Sequence, residues 1–168
     1  MGNGITILAA LGLSLLGGSV AAHADEGPFQ LRTQFTGKGK CLDIVNDGRN
    51  NQLIMAPCGN YSGQMWTVSP SGTPGRSRLR TEFTGKAKCL DIVNDGDNNR
   101  LIMAQCGNFS GQMWSISPSN DDAYSTLRTD FTGKAKCLDI VNDGRNNQLI
   151  MAQCGNFTGQ MWKLTDAQ

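Results

Sequence analysis

Residues 85–114 read GKAKCLDIVNDGDNNRLIMAQCGNFSGQMW, and residues 133–162 read GKAKCLDIVNDGRNNQLIMAQCGNFTGQMW. The two stretches differ only at Asp97/Arg145, Arg100/Gln148 and Ser110/Thr158. A third copy, GKGKCLDIVNDGRNNQLIMAPCGNYSGQMW, occupies residues 37–66. Cysteines 41, 89 and 137, cysteines 58, 106 and 154, and tryptophans 66, 114 and 162 each recur 48 residues apart. A fixed period of this length marks a repeat architecture, in which one supersecondary unit is built several times and the units share a core.

Within one copy, four short apolar segments are separated by turn residues. In the first they are Leu31 to Phe35, Lys40 to Val45, Gln52 to Cys58 and Gln64 to Val68. Thr36-Gly37-Lys38, Asn46-Asp47-Gly48 and Gly59-Asn60 supply turn chemistry between them. Leu42 and Ile44 alternate with Cys41 and Asp43, and Gln64, Trp66 and Val68 alternate with Met65 and Thr67. Period two with frequent turns predicts strands, and no segment carries a helical stripe. Four strands per copy predict an all-β chain of twelve strands. A unit this small cannot bury its own apolar face, so the copies must pack together. Closure into a β-trefoil with pseudo-threefold symmetry is the expected architecture, with repeats at 31–78, 79–126 and 127–168. A three-bladed propeller is the competitor, but propellers typically have four to eight blades.

The ends narrow the class further. Ile5 to Val20 is almost wholly apolar and uncharged, and Ala22-His23-Ala24 has the form of a cleavage site. Residues 1–24 are therefore read as a secretory signal peptide, leaving 25–168 as a single exported domain. The apolar run is short for a spanning helix, so membrane insertion is not expected. His23 is the only histidine and leaves with the signal. The chain has 15 Lys and Arg against 14 Asp and Glu, for a net charge of +1, which is no footprint for nucleic acid. The recurring pairs Lys38/Lys40, Lys86/Lys88 and Lys134/Lys136 are read as solvated turn residues.

Six cysteines in an exported chain imply disulfides. The repeat favours a symmetric scheme joining a first cysteine to a second, and the shortest version lies within each copy: Cys41–Cys58, Cys89–Cys106 and Cys137–Cys154. Each short loop closed this way stabilises the fold by about 3 kcal/mol. That scheme leaves no nucleophilic thiol, and the spacing does not suit a zinc knuckle. Asp43 to Asn50 superficially resembles a calcium loop, but Val45 stands where an oxygen ligand is needed and no glutamate closes the frame. No metal and no cofactor are expected.

The triplets Gln64-Met65-Trp66, Gln112-Met113-Trp114 and Gln160-Met161-Trp162 resemble the Q-x-W motif of ricin-B-type β-trefoil lectins, and Cys-Leu-Asp at 41, 89 and 137 resembles the C-x-D segment of that family. One Q-x-W alone is weak, whereas three in phase with three C-x-D segments are specific. The resemblance spans Leu31 to Trp162. It implies that Asp43, Asp91 and Asp139 accept hydrogen bonds from sugar hydroxyls, as an ionised carboxylate with two oxygens can. The alternative role for each Asp is to tether the adjacent turn. Asn60, Asn108 and Asn156 are candidate polar partners, or ordinary turn residues. Gln64, Gln112 and Gln160 and the tryptophans after them are read as scaffold. The family commonly places an aromatic just before the second cysteine, where this chain has Ile54-Met55-Ala56 and its copies. Tyr61, Phe109 and Phe157 are the candidate replacements, with Ile54, Ile102 and Ile150 as an aliphatic alternative. Asn60, Asn108 and Asn156 also fit the glycosylation sequon.

The expected function is a secreted, non-catalytic, monomeric lectin with up to three equivalent sites, one per repeat, and glycans as partners. The alternative is a protein-binding trefoil such as a protease inhibitor, acting through the non-repeated segments Ser69 to Arg78 and Ser117 to Ser125, which read as flexible linkers. An enzyme is disfavoured because the expected mature chain has no imidazole and no free thiol, and its recurring aspartates are equivalent by repeat.

Overall fold

A computed structural model describes residues 24–49 and 51–167. The signal-peptide reading of 1–24 and His23 therefore fall, all but Ala24, outside the described residues. Twelve strands are present: β1 (Glu26–Thr33), β2 (Lys40–Ile44), β3 (Leu53–Pro57), β4 (Trp66–Pro70), β5 (Ser77–Thr81), β6 (Lys88–Ile92), β7 (Leu101–Gln105), β8 (Trp114–Pro118), β9 (Ser125–Thr129), β10 (Lys136–Ile140), β11 (Leu149–Gln153) and β12 (Trp162–Asp166). Six of them close a barrel in the order β1-β12-β9-β8-β5-β4. The other six form three separate hairpins, β2-β3, β6-β7 and β10-β11, in identical register. This is the expected β-trefoil.

One side chain per repeat joins barrel to hairpin. Trp66, Trp114 and Trp162 are fully buried, and their indole N–H groups donate to the carbonyls of Leu42, Leu90 and Leu138 at 2.8–2.9 Å. The barrel contributes Leu31, Leu79 and Leu127, and the hairpins contribute Leu42, Ile44, Met55 and their copies to one continuous core. The three disulfides join the expected pairs, with Cα atoms 5.0 Å apart in each.

Several local expectations need correction. The fourth strand of each repeat begins at the tryptophan, not at Gln64, because Ser62–Gln64, Ser110–Gln112 and Thr158–Gln160 form tight 3-10 turns. The first strand runs from Glu26 to Thr33 rather than from Leu31 to Phe35, since β1 pairs with both β12 and β4. It stops where the Thr33 hydroxyl accepts from the Thr36 amide at 3.1 Å and so folds the chain into a turn; Thr81/Thr84 and Thr129/Thr132 repeat the device. The repeat boundaries at 78/79 and 126/127 fall inside β5 and β9.

The segments read as flexible linkers are tight hairpin turns between β4 and β5 and between β8 and β9. Ser71 Oγ accepts from the Thr73 amide and Ser119 Oγ from the Asp121 amide, both at 3.1 Å. The backbone closes across them from Ser71 N to Arg76 O and from Ser119 N to Tyr124 O. Lys40, Lys88 and Lys136 are also not simply solvated. Lys40 Nζ donates to the Arg145 and Asn146 carbonyls, Lys88 Nζ to Arg49, and Lys136 Nζ to Asp97 and Asn98. The amides of Met55, Met103 and Met151 donate to the carbonyls of Asn147, Asn51 and Asn99 at 2.8–2.9 Å. Every repeat thus holds the long loop of the repeat before it, with the third returning to the first. Lys38, Lys86 and Lys134 remain exposed.

Candidate functional site

On β2, β6 and β10 the side chains alternate, so Leu42 and Ile44 face the core while Asp43 emerges on the other face, half-buried. Both oxygens of this carboxylate are engaged. Asp43 Oδ1 accepts from the Ile44 amide at 2.7 Å, and Oδ2 accepts from Gln64 Nε2 at 2.8 Å. Asp91 with Gln112 and Asp139 with Gln160 repeat this geometry within 0.1 Å. Each oxygen retains a second lone pair, so every aspartate is oriented and still able to accept. Tethering and ligand acceptance are therefore compatible roles for the same side chain.

The glutamine is the hub of this arrangement. Its Oε1 accepts from the amide of Gly59, Gly107 or Gly155, and its Nε2 also donates to the carbonyl of Pro57, Gln105 or Gln153. The fully buried Gln64, Gln112 and Gln160 hold the loop after the second cysteine as well as the aspartate. Two glycines per repeat make this possible. A Cβ on Gly63, Gly111 or Gly159 would overlap the aspartate Oδ1, and one on Gly59, Gly107 or Gly155 would overlap the ring of Tyr61, Phe109 or Phe157. Those rings lie over the glycine corner and are the exposed large apolar side chains, each 60–61% accessible.

The Gly111 contact yields a prediction. Gly111→Ala must push Asp91 out of line, and displacing a hydrogen bond to a charged group costs about 1.5–3 kcal/mol. The unfolding free energy of the variant should fall by about that amount, and urea unfolding beside the wild type checks this.

In the second repeat Asp91, Asn108, Phe109 and Gly111 border one cavity of about 340 Å³. In the third, Asp139, Phe157 and Gly159 border one of about 210 Å³. Some contributors were not among the candidates. Asn94 and Asn142, which follow the strand carrying the aspartate, line these cavities, as do Phe131 and Phe35. Each of those phenylalanines belongs to the following repeat and is drawn in by its amide, which donates to Ser110 O or Thr158 O at 3.2–3.3 Å. Their 48-residue recurrence was visible, but the neighbourhood arises only from ring closure. Beside Asn94, the Arg100 guanidinium and then the Asn98 amide hold the Asp95 carboxyl below the usual carboxylate range; the Asn146 amide does the same for Asp143.

The candidate asparagines diverge. All three are exposed, but Asn108 Oδ1 accepts from Arg78 Nη2 at 2.7 Å, and Asn156 borders a different cavity from Asp139. Ile54, Ile102 and Ile150 sit directly opposite Asp43, Asp91 and Asp139 across their hairpins, hence on the same face. They do not line the two cavities, whereas Phe109 and Phe157 do.

A family model described as a ricin-type beta-trefoil lectin domain matches residues 28–162. No curated protein sequence matches. Among solved structures, the designed threefold-symmetric protein ThreeFoil superposes with a TM-score of 0.70 at 21% identity, covering 83% of this chain and 98% of its own. The ricin B-like lectin of Macrolepiota procera, solved in complex with lactose, gives 0.68 at 17% identity, covering 84% and 98%. A GlcNAcα1-4Gal-releasing endo-β-galactosidase from Clostridium perfringens gives 0.68 at 16% identity over 85% of this chain, which corresponds to 33% of that enzyme. At these identities the superpositions speak to fold.

Proposed function

The chain belongs to the ricin-type β-trefoil lectin domain family, and from that premise we propose that it binds carbohydrate at one site per repeat without catalysing a reaction. The observation that carries the reading is the pairing, in one cavity, of a pre-oriented aspartate with an exposed aromatic ring. A sugar ring presents hydroxyls along its edge and C–H groups on its face. Asp91 or Asp139 would accept from the hydroxyls, and Phe109 or Phe157 would cover the apolar face. In the first repeat Asp43 and Tyr61 are held by the same contacts. Asn108 would border the bound sugar rather than orient it, whereas Asn156 lines a neighbouring cavity and Asn60 is exposed on its corner.

Absence of catalysis is supported by chemistry. All six cysteines are consumed in disulfides, and the recurring aspartates share one environment, whereas hydrolysis of a glycosidic bond needs two carboxyl groups with different roles. Export is supported by the leader-like residues 1–24 and by the disulfides. A monomer with three sites around one axis suits repetitive or clustered glycans, because simultaneous engagement raises avidity by about 10²–10⁴.

A glycan array probed with the wild-type chain tests the reading, beside a variant whose 71–76 and 119–124 turns are replaced by neutral turns of equal length. Binding unchanged by the replacement is expected. Silence across the array, or binding lost with the turns alone, would overturn it.

A further inference from the structure

The three sites differ in what lies behind the corner that follows the second cysteine. The face of β1, β5 and β9 opposite the core leucines carries Gln30/Arg32, Arg78/Arg80 and Thr126/Arg128. In the first repeat Gln30 Nε2 donates to Gly59 O at 2.9 Å and Gln30 Oε1 accepts from Arg32 Nη2 at 2.5 Å. In the second, Arg78 donates to Asn108 Oδ1 at 2.7 Å and to Gly107 O at 3.3 Å, while Arg80 Nη2 is taken by Asp25 at 2.7 Å and by Ser69. Both corners are thereby filled, and each second arginine has a side-chain partner for a terminal nitrogen, although Arg32 Nε is buried without one.

The third repeat has neither feature. Thr126 is too short to span to Gly155 or Asn156, and its hydroxyl donates instead to Ser117 O at 3.4 Å. Arg128 Nε lies 3.3 Å from Cys137 Sγ, and its terminal nitrogens have no partner among the described residues. The space left vacant is a cavity of about 280 Å³ bordered by Thr126, Arg128, Asn156, Ser119 and Asn120. On its other side Arg128 borders a second hollow with Lys134, where Asp130 is already paired with Arg76 at 2.5 Å. Arg128 and Lys134 are thus the cations bordering these two hollows that have no ion pair among the described residues, with Asp121 and Asp122 following Asn120 in the adjoining turn.

We propose that this cavity is an anion subsite, taking the carboxylate or sulfate of an acidic sugar residue that adjoins the sugar held at Asp139 and Phe157. The proposal rests on the carbohydrate reading of that site and narrows its ligand class for the third repeat alone. A guanidinium with free terminal donors binds a planar or tetrahedral oxyanion through paired, charge-assisted hydrogen bonds. Asn156 borders this cavity and Phe157, the next residue, borders the one with Asp139, so the two hollows adjoin along the chain.

Side-chain NMR of the full mature chain tests it, following the Arg128 Nε–H signal and the Phe157 ring signals. The ligands are methyl galactoside, glucuronate, galactose 6-sulfate and acetate. An acidic sugar should shift Arg128 saturably, and Thr126→Gln, which copies the Gln30 filling, should weaken that response at least tenfold. Response to glucuronate alone assigns a carboxylate, and response to the 6-sulfate alone assigns a sulfate. The proposal is overturned if neither acidic sugar moves Arg128, if the shift survives Thr126→Gln, or if acetate binds as well as the sugars do. The carbohydrate reading fails separately, if no sugar, neutral or acidic, moves Phe157.

Discussion

Trp114→Ala is expected to lower the unfolding free energy by about 3–5 kcal/mol, the usual cost of deleting a large buried aromatic. The site makes the upper part of that range the better expectation. Trp114 is fully buried where barrel and hairpin meet, and its removal leaves the Leu90 carbonyl without its indole donor. Small domains hold only about 5–15 kcal/mol in total, so one such change removes a large share of it. Trp114→Phe narrows the contributions, because phenylalanine keeps much of the apolar volume while losing the N–H donor and part of the ring system. Urea unfolding of both variants is the check, with Trp114→Phe falling between wild type and alanine. Trp66→Ala and Trp162→Ala should cost about the same, since their contacts are the same. A loss under about 1 kcal/mol for Trp114→Ala would contradict the assignment of this residue to the shared core.

The second large effect concerns binding. Replacing Asp43, Asp91 and Asp139 together by alanine should reduce glycan affinity by at least about 100-fold, given roughly 1.5–3 kcal/mol for each of the two vicinal hydroxyls that one carboxylate can engage. Asparagine is not a neutral substitute here. Both carboxylate oxygens accept, from an amide N–H on one side and a glutamine Nε2 on the other. The NH2 group of an asparagine would face one of those donors. The triple alanine variant should still unfold cooperatively, because the barrel strands and disulfides do not pass through these side chains. Calorimetric titration of a glycan taken from the array gives the affinity, and thermal unfolding of the same samples confirms the fold. Unchanged affinity in a folded triple variant would remove the aspartates from the site.

The trefoil was legible because the 48-residue period, the cysteine spacing and the Q-x-W triplets constrain the same answer at different levels. The pairing of Cys41 with Cys58 followed from symmetry together with the choice of the shortest loop. The strand ends were less legible. Gln64 fits the alternation of a strand, yet its amide makes a three-way crosslink among Gly59, Pro57 and Asp43, and that demand wins over extended structure. Lys40 looked like any surface lysine because its carbonyl partners, Arg145 and Asn146, lie a whole repeat or more away. Phe35 and Phe131 were missed for the same reason: each borders the cavity of the preceding repeat, and only closure of the ring makes Phe35 a neighbour of Asp139. The serines at 71 and 119 sat in segments whose composition suggests a loose linker, although single hydroxyl contacts are enough to fold them into turns.

Near-identity of the repeats does not make their surroundings identical. Gln30, Arg78 and Thr126 occupy equivalent positions and treat the adjacent corner in three different ways. Shared residues build the scaffold and the common part of each site, and the few that differ lie where ligand preference can be set. Selectivity among the proposed sites is therefore sought at these positions rather than in the motif itself.

The most direct test of one sugar site per repeat is the stoichiometry of a monovalent sugar, titrated by calorimetry into the wild type and into the single variants Asp43→Ala, Asp91→Ala and Asp139→Ala. Three equivalents per chain are expected for the wild type and two for each variant. A wild-type stoichiometry unchanged by all three substitutions would contradict the account.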